Sequence, residues 1–406
     1  MENKHMKKYL ILVLVVVLAL GVLPAVTSAQ QEKPSLLIWA DDTRAPVIQD
    51  LGKSFEDEYG VTLTVQQLGF GDIRDQLKIA GPAGEGPDII IGANDWVGEL
   101  VTNGLLAEVD LGDAVNDFAP TAIQGFTWDG KLYGVPYAIE NVGFFYNTDL
   151  VPTAPATFDE VVTVSKDLMS SGKAKYGFIR QDGDPYHFFP IQTAFGGYIF
   201  GLDDKGNYTA DDVGVDNEGS IASLTWYQNL IKDGTMPSGL DNNAAVALMQ
   251  SGDAAMYITG PWSIEALTTA NVPFAIAPIP AGPAGPGKPF LGIQAFMVSA
   301  FSNNPLLAQA FLTEWVASED VQLALYEKGD RTPALLSAQA KVEDPNLVAL
   351  GTAGEVGQPM PGIPAMSAVW TAWGNAIQLA EDPSQDVTQL AKAAADAIRE
   401  AAQPAQ

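Results

Sequence analysis

Between residues 36 and 91 three short apolar runs alternate with two stretches of helical periodicity, and this alternation restricts the fold more than any other feature of the chain. Residues 36–40, 61–65 and 88–91 are apolar and short, bounded by polar or glycine-containing segments, as strands are. Val47, Ile48, Leu51 and Phe55 recur at helical spacing, with Gly60 placed to end the helix, and residues 73–80 read as a second helix. Strand, helix, strand, helix, strand predicts an α/β fold: a right-handed parallel sheet with helices on both faces. The loop at 81–87 lacks the Gly-Lys-Ser/Thr ending of a phosphate cradle and carries Glu85, so it reads as a plain turn.

The pattern continues beyond residue 150. Thr157 and Glu160 form a capping box that opens a helix to about residue 171, and residues 176–179 make a strand. Residues 186–200 read as an aromatic-rich helix. The acidic run at 203–208 fails the spacing of a calcium loop and reads as a hairpin turn. Helices follow around 224–231 and 244–249, strands at 255–259 and 274–279, and helices at 305–315, 320–326, 363–380 and 384–401.

Residues 134–147 hold two extended runs, 135–139 and 142–146, with Glu140-Asn141 between them and no core role evident for either polar side chain. This reads as a strand crossing between two lobes, with Glu140 at the mouth of the cleft. Residues 291–298 form a second passage and residues 333–345 a third.

The first 29 residues read as an address. Lys4, Lys7 and Lys8 precede an apolar stretch at 10–20 and the small residues Thr27-Ser28-Ala29, the layout of a secretory signal peptide cleaved after Ala29. No later run of 18 apolar residues exists, so the mature chain is expected to be soluble outside the cytoplasmic membrane, periplasmic or extracellular. The chain has no cysteine, which removes disulfides, thiolate chemistry and lipidation of a cysteine after the leader. Its 49 acidic against 21 basic residues give a net charge of −28, which argues against nucleic acid or anionic lipid as partners. Only two histidines are present; with His5 in the leader, His187 alone cannot build a multi-histidine zinc site. A Ser/His/Asp triad would have to use that one imidazole. No cofactor and no metal are expected.

Candidate chemistry lies where polar groups adjoin aromatics in loops after strands, the place α/β sheets bind ligands. These places are Asp41-Asp42-Thr43-Arg44, Asn94-Asp95-Trp96, Glu140, Asp184-Pro185-Tyr186, Gly260-Pro261-Trp262, and Trp370 with Trp373. Trp226 and Trp315, inside amphipathic helices, read as core. Carboxylates beside aromatic faces, with only Arg44 and Arg74 well placed for an anion, suit a neutral, hydroxyl-rich ligand.

Six segments in order resemble a known family: Gly86-Pro87-Asp88-Ile89-Ile90, Gly130-Lys131-Leu132-Tyr133-Gly134-Val135-Pro136, Phe145-Tyr146-Asn147-Thr148-Asp149-Leu150, Asp212-Val213-Gly214-Val215-Asp216-Asn217, Gly260-Pro261-Trp262 and Ile363-Pro364-Ala365-Met366-Ser367-Ala368-Val369-Trp370. Together they look like the maltose/maltodextrin-binding proteins, family 1 solute receptors of ABC importers. The resemblance implies the two-lobe periplasmic-binding-protein fold of class II, each lobe a sheet flanked by helices, with three hinge crossings. The lobes fall at residues 35–138 plus 294–341 and 139–291 plus 345–406. It implies a sugar enclosed between lobes that close, delivered by a monomer to membrane permease subunits.

Carried over, Glu140, Tyr186, Trp262 and Trp370 resemble the sugar-contacting residues. Asp95 resembles a hydroxyl acceptor with Ala93 adjoining, Asp184 replaces a glutamate, and Arg44 and Asp75 are weaker matches. Gly92 stands where a stacking tryptophan is expected, with Trp96 four residues on to restore a ring; Thr371 and Gly374 replace an aromatic and an arginine. The leading expectation is a maltose or maltodextrin receptor without enzymatic activity. Another sugar on the same fold, such as trehalose or a cyclodextrin, and a glycoside hydrolase using Asp95 and Glu140 are the competing readings. Loss of Trp262 or of Glu140 is expected to weaken binding and leave the fold intact.

Overall fold

The structure, a computed structural model, describes residues 33–403. The leader read at residues 1–29 lies outside the described residues. Among those described, no helix is long and apolar enough to cross a membrane.

The opening strands form where the apolar runs lie. Ser35–Ala40 pairs in parallel with Thr62–Gln67 on one side and Ile89–Ala93 on the other. The sheet does not stay parallel. Its next strand is Phe290–Val298, antiparallel to both Ile89–Ala93 and Val135–Glu140, and the short strand Thr332–Pro333 closes that edge. The nine residues of Phe290–Val298 are almost all buried because the strand has a partner on each side and the sheet is covered. A second sheet runs Phe274–Ala277, Gly143–Asn147, Ala254–Thr259, Tyr176–Arg180, with only its last pair parallel.

These two sheets make two lobes, and the chain passes between them three times. Val135–Glu140 belongs to the first sheet and Gly143–Asn147, two residues later, to the second. The chain returns between Phe274–Ala277 and Phe290–Val298. After Thr332–Pro333 it crosses again, and helix Pro345–Gly354 buries Leu347 and Leu350 against Phe145 of the second sheet.

Several element boundaries differ from the sequence reading. The first helix is two, Ala45–Leu51 and Lys53–Tyr59, joined at Gly52, where a side chain would strike the Ile48 carbonyl at 2.8 Å. Helix Phe70–Ala83 runs through Pro82 into the segment read as a turn and stops at Gly84, whose φ of 74° is left-handed. The aromatic-rich helix is Pro185–Ala194 only; Phe200–Leu202 is a strand paired with Tyr208–Val213 across the expected hairpin turn. That helix is buried nearly all round, so no polar stripe marks its end. The capping box forms in a relaxed version: Thr157 accepts from the Glu160 amide at 3.2 Å, while Glu160 accepts from the Ala156 amide at 2.7 Å.

Asn141, read as lacking a core role, is buried at the first crossing. Its side-chain amide donates to the Leu350 carbonyl at 2.9 Å and to that of Val142 at 3.1 Å, tying the first crossing to the helix that follows the third. Asn141→Ala leaves the Leu350 carbonyl without that donor and is expected to cost about 1–2 kcal/mol. Urea unfolding measures this, and an unchanged midpoint and slope would count against it.

Candidate functional site

The ends of the first-sheet strands and the loops of the second lobe face each other across a cavity of about 630 Å³, within the size range of small-molecule sites. Its lining gathers Arg44, Ala93, Asp95, Trp96, Glu140, Asp184, Tyr186, Trp262 and Trp370 from segments up to 326 positions apart in sequence. Asp75 is not part of the lining. It sits on the outward face of its helix, half-exposed, paired with Arg74 at 3.1 Å and Lys78 at 2.9 Å. Trp373 is also elsewhere: fully buried, it donates to Gln192 at 3.3 Å in the core of the second lobe.

The floor is a charge network. Glu140, on the strand leading into the first crossing, is 7% exposed, and both of its oxygens are held. Arg331 Nε donates to Oε2 at 2.8 Å, Gln294 Nε2 to Oε1 at 2.8 Å, and Arg44 Nη2 lies 3.4 Å from Oε1. Arg44 also pairs with Asp41 and donates to the Tyr137 hydroxyl, and Asp41 accepts from the Arg44 and Thr43 amides. Attraction to Arg44 and Arg331 brings the Asp41 carboxyl below its ordinary value despite burial, which acts the other way. Two carboxylates and two guanidiniums leave this floor neutral. Arg74, the remaining guanidinium in the lining, is occupied by Asp75 and, at 3.7 Å, Glu99. No cation in the described lining is free for an anionic ligand.

The walls carry rings. Asp184 caps helix Pro185–Ala194 by accepting from the Tyr186 amide at 2.7 Å, with proline at the first helical position, so the sequence Asp-Pro-Tyr fixes where Tyr186 projects. Its other oxygen meets His187 Nδ1 at 2.5 Å. Burial would raise the Asp184 carboxyl, but the His187 interaction and the Tyr186 amide bring it below the ordinary range. The Tyr186 hydroxyl reaches the Glu140 carbonyl at 3.3 Å. Trp262 lies beside Tyr186 and His187, ring centres 6.1 and 5.5 Å away. Its indole covers Gly260, where a Cβ would come within 2.3 Å of the ring. On the opposite side Trp96 occupies the space over Gly92, within 2.1 Å of where a Cβ would stand, and packs on Phe70 at 4.7 Å. The Trp96 indole therefore fills the space that a side chain at position 92 would occupy. Gly374 lets its helix approach the Gly183 carbonyl, 2.7 Å from a would-be Cβ, and Thr371 is exposed.

Trp370 Nε1 donates to Asp95 Oδ2 at 2.8 Å, linking the last helical pair to the first-lobe loop Asn94–Trp96. Asn94 anchors that loop by donating to the Met360 carbonyl and accepting from the Ile293 amide, each at 3.1 Å. The sequence reading missed Arg331, Gln294 and His187 as members of the site. Gln294 is the single polar residue in an otherwise apolar strand, a usable signal; Arg331 carries none beyond its position before the third crossing.

The Glu140 network reverses one expectation. Removing the carboxylate leaves the buried Arg331 without its carboxylate and takes one of two from Arg44, so Glu140→Ala is expected to destabilise the fold by about 3–5 kcal/mol, whereas Glu140→Gln keeps one acceptor oxygen and costs less. Chemical denaturation of both variants checks the order. Burial pushes the Asp95 carboxyl up to about 6, against the lowering influence of Trp370 and Arg74. A carboxyl held higher in the folded chain favours folding while protonated. Its contribution, on the order of 2–3 kcal/mol, is present below about pH 4 and lost as pH rises through 6. The difference in unfolding free energy between the wild type and Asp95→Asn should fall across pH 4–7; a flat difference contradicts it.

Comparison with known proteins fits this geometry. The profile of the bacterial extracellular solute-binding protein family matches residues 50–351. The galactooligosaccharide-binding protein of Bacillus subtilis (strain 168) is 32% identical over 382 residues, covering 90% of this chain and 89% of that protein. The maltodextrin-binding protein MdxE of the same organism is 30% identical, covering 91% and 90%. A maltooligosaccharide ABC transporter solute-binding lipoprotein of Streptococcus pneumoniae (strain ATCC BAA-255 / R6) is 31% identical, covering 92% and 90%. With two lobes, three crossings and a cavity between them, the chain belongs to the bacterial extracellular solute-binding proteins.

Proposed function

We propose that this protein is the substrate receptor of an ABC sugar importer, holding a neutral oligosaccharide, maltodextrin in the first reading, in the cavity between its lobes. The observation that carries the proposal is the pairing of every guanidinium in the described lining with a carboxylate, beside the rings of Tyr186, Trp262, Trp370 and Trp96. With every guanidinium in the described lining paired, none is left to select an anion, and aromatic faces cover the apolar face of a pyranose while fixed polar groups meet its hydroxyls. Arg44, Ala93, Asp95, Trp96, Glu140, Asp184, Tyr186, Trp262 and Trp370 form the proposed site. Residues 35–138 plus 294–341 act as one lobe and 139–291 plus 345–406 as the other, closing on the sugar so that a membrane permease recognises the loaded form. The receptor works as a monomer outside the cytoplasmic membrane after its leader is removed near Ala29.

A binding role without catalysis fits both the relatives, which are named as binding proteins, and the site itself. A hydrolase would need a free carboxylate pair, and the Glu140 oxygens are committed to Arg331, Gln294 and Arg44. A second reading, galactooligosaccharide, is favoured by the relative of that name at 32% identity and by the departures at Gly92, Thr371 and Gly374 from the maltodextrin pattern.

Calorimetric titration with maltotriose and with β-1,4-galactotriose decides between them. Micromolar binding, about −8 kcal/mol, is expected for one of the two. Trp262→Ala is expected to weaken that binding at least about tenfold with an unchanged melting temperature, since it removes a central aromatic contact. Failure of both trisaccharides to bind would overturn the proposal. Equal affinity of the wild type and Trp262→Ala would remove Trp262 from the site.

A further inference from the structure

Behind the second-lobe wall of the cavity, two carboxyls outside its lining meet at one hydroxyl. Tyr227, fully buried on helix Glu218–Lys232, places its hydroxyl 2.8 Å from Glu381 Oε1 and 3.2 Å from Asp182 Oδ1. The two carboxyls are also within hydrogen-bonding reach of each other. Their second oxygens hold one stretch of backbone: the Leu240 amide donates to Asp182 Oδ2, and the Gly239 amide to Glu381 Oε2 at 3.2 Å. The Asp182 amide in turn donates to the Leu240 carbonyl at 2.9 Å. Each member of this knot adjoins a wall of the cavity. Asp182 stands two residues before Asp184, Leu240 one before Asp241, and Glu381 two past the end of helix Met366–Leu379, which carries Trp370.

A phenol has one hydrogen to give. Burial pushes the Tyr227 phenol well above its ordinary value, so it keeps that hydrogen. One of its two contacts is then a donation. In the other the phenol oxygen faces a carboxyl, which is favourable only when that carboxyl carries a hydrogen of its own. Among the described residues neither carboxyl forms an ion pair. Arg180, itself buried, acts on both, but it lies over the rings of Tyr227 and Phe188, at 4.3 and 5.2 Å, and donates to the Gln181 carbonyl. The other charges of the same elements are turned elsewhere: Asp184 to the Tyr186 amide and His187, Asp241 to the Ala244 amide, Asp233 to Lys166, and Asp382 to the Ser384 amide, while Lys232 is exposed. Burial raises the Asp182 carboxyl against the lowering influence of Arg180 and the Leu240 amide. Burial and the adjoining Asp182 charge raise that of Glu381 against Tyr227 and Arg180. Two carboxyls so placed resist ionising together.

We propose that Asp182 and Glu381 are positioning residues of the sugar site, sharing one proton that holds together the segments carrying Asp184 and Tyr186, Asp241 to Asn243, and Trp370. This rests on the oligosaccharide reading above and adds a pH dependence to it. With the proton in place the pair carries a single negative charge, and both of the Tyr227 contacts are hydrogen bonds. As pH rises and the proton leaves, two like charges face each other at hydrogen-bonding range, and the wall segments they fasten are pushed apart. Sugar binding therefore weakens toward alkaline pH.

The test uses the full chain and the trisaccharide that the wild type binds, maltotriose or β-1,4-galactotriose, titrated calorimetrically from about pH 5 to about pH 9. Glu381→Gln fixes the singly charged state, its amide oxygen accepting from Gly239 and its amide nitrogen donating toward Tyr227. This variant is expected to match the wild type at the acid end. At the alkaline end the wild type should bind about tenfold more weakly than the variant, the change that one pKa unit of linkage gives. Asp182→Asn fixes the same charge from the other side and should behave alike. Titrations common to all three proteins, such as that of Asp95, cancel in these ratios, and a purely structural role would lower the affinity of a variant by one factor at every pH. Infrared difference spectroscopy without sugar reads the shared proton directly: at about pH 7 the wild type should show the carbonyl stretch of a protonated carboxylic acid that Glu381→Gln lacks. A constant ratio of affinities across the range, or no such band, overturns this proposal and leaves the oligosaccharide reading intact. Absence of binding by both trisaccharides overturns the two together.

Discussion

The carboxylate of Glu140 is the contact on which the rest of the site depends. It sits where the chain first leaves one lobe for the other, and it is held by groups from three other places: Arg44 after the first strand, Gln294 on the returning strand and Arg331 before the third crossing. A carboxylate so buried is stable only when its charge is matched and its lone pairs are filled. The requirement to match it draws the separate passages of the chain to one point. The same requirement decides what the cavity can receive. With Asp41 balancing the second guanidinium, these four charges cancel and leave neither arginine free for an anion, while Asp42, Asp95, Asp184 and Asp241 keep the lining acidic.

The rings are placed by what lies beneath them. Trp96 and Trp262 each rest on a glycine, Gly92 and Gly260, at a distance no side chain would allow. Both lie just past the end of a strand, where a short turn of helix opens the next element. In each case a bare backbone carbon and an indole replace two ordinary side chains, so the ring lies over the sheet end. Gly374 does the reverse. It brings two backbones together and leaves no room for the arginine that the family resemblance places there.

Much of this was readable in the amino-acid order. The strands at 36–40 and 88–91, the polar break at Glu140-Asn141 and the Pro- or Gly-flanked rings at Tyr186 and Trp262 carry local signals, because turn chemistry and capping act within a few residues. The unread part is non-local. Arg331 joins Glu140 across 191 positions, and nothing near it in sequence marks the partner. The chain has only five arginines, and four of them are buried. His187 was weighed for metal binding and catalysis; its placement against Asp184, three residues earlier, follows from a helix start that the sequence did mark. The mixed character of the first sheet was not legible, since it is made by strands that arrive some 200 residues after the parallel ones. No core role was evident for Asn141 because its acceptor, the Leu350 carbonyl, comes from the far side of the third crossing.

The most direct test of this account is a crystal structure of the protein with the bound trisaccharide. The account predicts sugar rings lying against Tyr186, Trp262 and Trp370 with both lobes in contact, and Glu140 still held by Arg331 and Gln294. A sugar seated on one lobe alone, or one that takes the Glu140 carboxylate away from its arginines, would contradict it.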